Sequence, residues 1–241
     1  MDAPALRRGS RNRHSGSVAE SQLDSLSYAP QGLEDGISVL AAEPVFAEIL
    51  AQAGPPRFRR RGNGFGTLLH IILEQQVSID AAAAMYRRLL GLCRPFLPKT
   101  FRTLDDATLR SCGFSRQKMG YARDFAAAVE SGKFDFAALA AADDDTALAR
   151  LLAIRGIGRW SAEIYLLFAL GRADIWPAAD LGLQASVGNH LHFGTRVSEL
   201  ELRRCGEAWR PWRSVAACLF WQSYLHERGR AAPQLPPELY A

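Results

Sequence analysis

The chain has 241 residues, of which 48% are hydrophobic and 22% charged. That composition sets aside a wholly disordered protein and leaves room for one domain or two small lobes. Charges or prolines interrupt each apolar stretch well short of the roughly 18 residues a spanning helix needs, and no apolar core follows the N-terminal arginines as in a secretory signal. Lys and Arg number 29 against 25 Asp and Glu, a formal charge of +4 that permits a polyanionic partner without requiring one. Four cysteines are too few for a disulfide scaffold and suit a reducing compartment, so the expectation is a soluble intracellular protein.

Residues 1–30 place Arg7, Arg8, Arg11 and Arg13 among Gly, Ser, Asn and Pro. With little to bury, this segment is either a solvated tail or a basic arm for phosphates. From Gly36 onward Ile37, Leu40, Ala41, Val45, Phe46, Ile49 and Leu50 recur at spacings of three and four, which predicts one buried helix face. The stretch AGPPRFRRRGNG (53–64) reads as a basic loop. An apolar helix follows from Phe65 into Gln75 and Gln76, and Ser78 is placed to cap the next, SIDAAAAMYRRLLGL. Further helices are expected at 105–111, 115–130, 136–141, 144–153 (capped by Asp143), 160–170, 181–192, 197–209 and 212–228, ahead of a Pro-rich tail at 231–241. Apolar–polar alternation is rare and no solenoid-length repeat is present, so the predicted class is all-α with roughly nine to eleven short helices.

The stretch LARLLAIRGIGRWSAEIYLLFALGRADIWPAADLGLQ (148–184) carries the chemistry. An amphipathic helix turns through Gly156-Ile157-Gly158 into a second helix at Arg159-Trp160. The glycines permit a tight turn and leave the first N–H groups of the new helix uncovered, a ready phosphate site, while Ile157 tucks inward. Taken bare, such a turn is equally an ordinary αα-hairpin.

The whole string resembles the helix-hairpin-helix and Gly/Pro-rich loop (HhH-GPD) superfamily of DNA glycosylases. Leu-x-x-Ile-x-Gly-Ile-Gly-Arg-Trp, then Pro177, then Asp180 twenty residues after Trp160, is similar to its alkylation-repair branch, the DNA-3-methyladenine glycosylase II-like proteins. LLHIILEQQVSIDAAAAMYRRL (68–89), GFSRQKMGYARDFA (113–126) and WRPWRSVAACLFW (209–221) agree, so the likeness covers about residues 36–228. It implies two helical lobes with a DNA cleft between them. One lobe would span roughly 64–170 and the other would join 31–63 to 171–230, with no room for an additional N-terminal β lobe.

The resemblance further implies a monofunctional enzyme that flips an alkylated purine such as 3-methyladenine or 7-methylguanine out of double-stranded DNA and hydrolyses its glycosidic bond. Asp180 would stabilise the oxocarbenium-like sugar; read alone, it is equally a cap for the helix at Leu181. Asp174 competes in the same loop but lies outside the family's position. Strand-cutting members carry a nucleophilic lysine where Trp160 stands, so no lyase step is implied. Trp160 and Trp221 would wall the base pocket, where an indole face attracts a cationic purine, though Trp221 also reads as a core indole. Ile164, with Tyr165 beside it, replaces an aromatic of the bacterial enzyme. Gln76 matches the wedge that fills the gap in the stack, or else Gln75 and Gln76 merely close a helix.

Gly156, Gly158 and Arg159 would meet phosphate, with Arg155, Arg210 and Arg213 nearby and the last two equally placed to pair with acids. Main-chain carbonyls of Leu152, Ile154 and Ile157 would hold Na+ or K+. Only Cys205 and Cys218 follow Asp180, so no iron–sulfur cluster is expected, and no cofactor is required. All four cysteines read as buried, inert thiols. A monomer is expected, in the cytoplasm of a bacterium or the nucleus of a eukaryote. The alternatives are a glycosylase for deaminated or other damaged bases and a non-catalytic module that binds damaged DNA.

Overall fold

A computed structural model describes residues 30–194 and 196–240; the arginines of the expected basic arm lie outside them. The described residues form thirteen α-helices and two short 3-10 turns, with no strand beyond an isolated bridge between Arg61 and Tyr240. The protein is all-α.

The periodic stretch expected as one helix is two, α1 (Leu33–Leu40) and α2 (Pro44–Ala53). Pro44 sits at the first turn of α2, where its missing N–H costs nothing, and the turn before it reorients the chain. Both pack on α13 (Arg213–His226) near the far end of the sequence. Gly36 makes that approach possible, because a Cβ there would lie 2.6 Å from Val215 Cγ2. Phe46 meets Trp209 and Phe220 at centroid distances of 5.4 and 5.2 Å, and Trp209 Nε1 donates to Glu43 at 3.1 Å.

The middle of the chain continues the core around α3 (Phe65–Glu74), an almost wholly buried helix. It packs against α4 (Ile79–Leu92), capped by Ser78, and α7 (Arg116–Glu130). Phe65 stacks on Phe125 at 5.3 Å. The short α5 (Pro98–Arg102), which the sequence reading passed over, covers this core with Phe101. The helices α6 (Asp106–Ser111), α8 (Phe136–Ala141) and α9 (Asp144–Leu152) begin on Asp105, Asp135 and Asp143, whose carboxylates accept backbone N–H bonds.

From α9 the chain turns into α10 (Arg159–Phe168), then a loop, then α11 (Leu181–His190) and α12 (Glu199–Gly206). The loop is pinned from several sides. Ser214 Oγ accepts from Ile175 N at 2.9 Å, Trp176 Nε1 donates to Leu202 O at 2.7 Å, and Gln184 Nε2 donates to Ala178 O at 2.8 Å. The Pro-rich end expected as a tail is packed: Leu235 and Leu239 are buried and Gly62 N donates to Leu239 O at 2.8 Å. Burial of apolar side chains, not proline content, decides its order.

Candidate functional site

Asp180 is the N-cap of α11, with Oδ1 accepting from Leu183 N at 2.8 Å. Two indoles complete its shell. Trp160 Nε1 donates to Oδ2 and Trp221 Nε1 to Oδ1, each at 3.0 Å. Residues from α10, α11 and α13 thus converge on one half-buried carboxylate, which receives three N–H dipoles.

This carboxylate lines a cleft of about 510 Å³. Trp221 is half-buried rather than a core indole; it stacks on Phe168 at 5.7 Å and 25°, and Phe58 meets it edge-on at 6.2 Å. Ile164 faces the cleft, while Tyr165 turns fully inward and donates to Asn63 Oδ1 at 2.6 Å. Leu235 and Tyr240 of the C-terminal segment form another part of the wall, with the Arg59 guanidinium 5.5 Å from the Tyr240 ring centroid. Glu74, at the end of α3, lines the same space beside Arg61. Burial opposes charge on Glu74, but Arg61 and His70 outweigh it and hold its carboxyl down to about 2.

The turn between α9 and α10 has the expected helix-hairpin-helix form. Gly156 adopts φ 89°, and a Cβ on it would lie 2.2 Å from the Tyr121 ring, so only glycine fits. Ile157 is buried, and its N–H closes the turn on Ile154 O at 3.0 Å. Gly158 caps α10 with no side-chain bond to the helix's first N–H groups, and the space beside it is open. Gln75 reaches across to this turn, donating to Gly156 O at 2.8 Å and Ser161 Oγ at 3.0 Å. Next to it Gln76 is exposed with φ 58°, a left-handed conformation that non-glycine residues rarely adopt. The two glutamines therefore divide the work: Gln75 fastens, and Gln76 projects.

Residues 69–211 match the model of the HhH-GPD superfamily of base excision DNA repair proteins. The chain belongs to that superfamily. It is 27% identical over 168 residues to a putative DNA-3-methyladenine glycosylase of Bacillus subtilis, across 66% of this chain and 58% of that protein's length. Among solved structures, a DNA-3-methyladenine glycosidase from Bacillus halodurans superposes with a TM-score of 0.67 at 32% identity, covering 82% of this chain and 91% of the other. The 3-methyladenine DNA glycosylase of Schizosaccharomyces pombe, solved with abasic DNA, gives 0.73 at 25% identity, covering 80% and 96%.

Within this HhH-GPD chain most of the singled-out arginines are paired. Arg210 and Arg213 both engage Asp174, at 2.9 and 2.7 Å, and both also reach Glu207. Arg155 pairs with Asp124 at 2.9 Å. Arg159 donates to buried Glu163 at 2.9 Å while half its side chain stays exposed beside the hairpin. Burial pushes the Glu163 carboxyl up against the pull of Arg203 and Arg159. Arg159, Glu163, Asp174, Arg203, Glu207, Arg210 and Arg213 line another cavity of about 630 Å³, which lacks Trp160, Trp221 and Asp180. Of the cysteines, Cys93, Cys112 and Cys218 are buried, but Cys205 is partly exposed, which corrects the expectation for that one.

Sequence reading overlooked Glu74, Arg61 and the C-terminal wall. A lone acid ending the apolar run FGTLLHIILE was the available signal for the first. Leucines and a tyrosine among the last prolines were the signal for the wall.

Proposed function

We propose that the chain is a monofunctional DNA glycosylase that removes alkylated purines, such as 3-methyladenine or 7-methylguanine, from double-stranded DNA. The observation that carries this reading is the Asp180 carboxylate, held by Trp160 Nε1, Trp221 Nε1 and Leu183 N in an aromatic cleft. The relatives' names and the DNA in the yeast structure support it.

In this reading the hairpin amides at Gly156 and Gly158 meet a backbone phosphate, helped by the positive end of α10, and Arg159 adds charge once it turns from Glu163. Gln76 fills the gap left in the stack as the target nucleotide leaves it. The flipped purine enters the cleft against Trp221 and Trp160, where a cationic ring gains from the indole faces. As the glycosidic bond breaks, positive charge grows on the sugar and Asp180 stabilises it. Alkylation has already weakened that bond, so one carboxylate suffices.

No lyase step is proposed. The chain has three lysines, Lys99, Lys118 and Lys133, and none lines the cleft. Lys118 instead donates to Leu73 O at 2.7 Å. Main-chain carbonyls of Leu152, Ile154 and Ile157 would hold Na+ or K+, with Ile154 O also accepting from Ile157 N at 3.0 Å, and the ion would take no part in bond cleavage.

The test is base release from methylated duplex DNA by the purified chain. Asp180→Asn is expected to lower the rate roughly 100-fold while DNA binding persists. Undiminished release by that variant would overturn the assignment.

A further inference from the structure

Glu74 is an acid that bond cleavage leaves unused, yet it sits in the same cleft as Asp180. Its side chain is only 4% exposed, and burying a carboxylate is costly unless partners surround it. Arg61 Nη1 donates to Oε2 at 3.2 Å. Oε1 lies 3.2 Å from both Arg61 Nη2 and His70 Nδ1, but neither approach has hydrogen-bond geometry. One oxygen of the carboxylate is thus buried against Arg61 and His70 without a hydrogen bond, in a residue that lines the cleft.

The pair is tied to the aromatic surface. Arg61 N donates to Phe168 O at 2.8 Å, and the guanidinium lies 5.2 Å from the Phe168 ring centroid. Phe168 in turn stacks on Trp221. An ion pair that served stability alone is no better than a well-packed hydrophobic pair of the same volume. What the ionic pair adds is a polar point beside the Phe168 and Trp221 faces, in a cleft that also holds Asp180, Asp80, Arg59 and Arg230; a few placed polar groups are how ligand sites fix orientation.

We propose that Glu74 is a specificity-determining residue: its carboxylate accepts a hydrogen bond from an N–H on the edge of the flipped purine. This rests on the glycosylase reading above. 7-Methylguanine offers N1–H and a 2-amino group, and 3-methyladenine offers its 6-amino group. In 1,N6-ethenoadenine that nitrogen is closed into an extra ring and carries no N–H. A site built to receive a donor rejects an analogue without one, because its buried acceptor is then unpaired. Glu74 therefore selects among lesions. Recognition of damage itself stays with the indoles and the weakened bond.

The experiment uses the full chain and two duplexes, one bearing 7-methylguanine and one bearing 1,N6-ethenoadenine. Release of the first is followed in single turnover. Capture of the second is read by its own fluorescence, with or without cleavage. Glu74→Leu is expected to lower 7-methylguanine release at least about tenfold while ethenoadenine affinity holds or rises. Glu74→Gln, which keeps an acceptor oxygen, should recover most of the loss. Because Glu74→Leu strands a buried guanidinium, the double variant Arg61→Met with Glu74→Leu gives the same readout in a background without an unpaired charge. Equal losses on both duplexes, or no loss in either variant, overturn the proposal and leave the glycosylase reading standing. Absence of purine release from the unmutated chain overturns both.

Discussion

Asp174 and Asp180 stand in one loop, six residues apart, and the structure treats them oppositely. Asp174 is clamped by two guanidiniums, with Arg213 Nε at 2.7 Å and Arg210 Nη1 at 2.9 Å. Asp180 receives neutral donors, two indole N–H groups and one backbone N–H. The first arrangement cancels charge; the second positions a carboxylate that, among the described residues, has no guanidinium at hydrogen-bond distance. A carboxylate meant to stabilise a developing cation must be of the second kind, because a guanidinium at hydrogen-bond distance would cancel the field it offers. Tryptophan serves this purpose better than arginine, since it combines a neutral donor with an aromatic face.

Exchanging each carboxylate for an amide is the sharpest way to break the contrast. Asp180→Asn should lose roughly 100-fold in base release, whereas Asp174→Asn should change release per folded molecule by less than about threefold. Comparable losses in the two would mean that charge cancellation does not separate them. Next in size are Trp160→Phe and Trp221→Phe, which keep a ring and remove one N–H donor. Each should slow release by roughly tenfold, the worth of a hydrogen bond to a charged group, and a double variant tests whether the donors act as a unit.

Asp174→Asn has its own effect elsewhere. It leaves Arg213, a largely buried side chain, short of its partner, and should lower unfolding free energy by about 1–3 kcal/mol in denaturant titration. The smallest effect concerns acid. The Glu74 carboxyl is held at about 2 against an ordinary 4.5, so its pairing stabilises the fold above that ordinary value and is lost as pH falls toward the lower one. Replacing it with Gln should flatten acid unfolding between those limits, read by circular dichroism.

Much of this was legible in the sequence because the signals were local. Glycine spacing marked the hairpin, and Ser78 and Asp143, the caps expected for their helices, accept backbone N–H bonds three residues on. Trp160, Asp180 and Trp221 came from the resemblance to the HhH-GPD superfamily; read alone, Asp180 was a cap and Trp221 a core indole. Their mutual geometry was not legible, since which edge of an indole meets a carboxylate is set by packing among three helices. The Glu74–Arg61 pair escaped notice for a related reason: its members are thirteen residues apart in sequence, and its acid looked like the end of an apolar helix. Proline in α2 and at the C-terminus misled in opposite directions. In α2 it began a second helix, and at the C-terminus it accompanied buried leucines instead of disorder.

The bridge between Arg61 and Tyr240 joins positions from opposite ends of the described chain, and both residues belong to the wall of the Asp180 cleft. Contacts of such long sequence separation form late, because the entropy of closing the intervening chain must be overcome first. A partly folded molecule lacks this bridge. It cannot hold the finished pocket. On the proposed reading, base release therefore reports on completion of the whole fold.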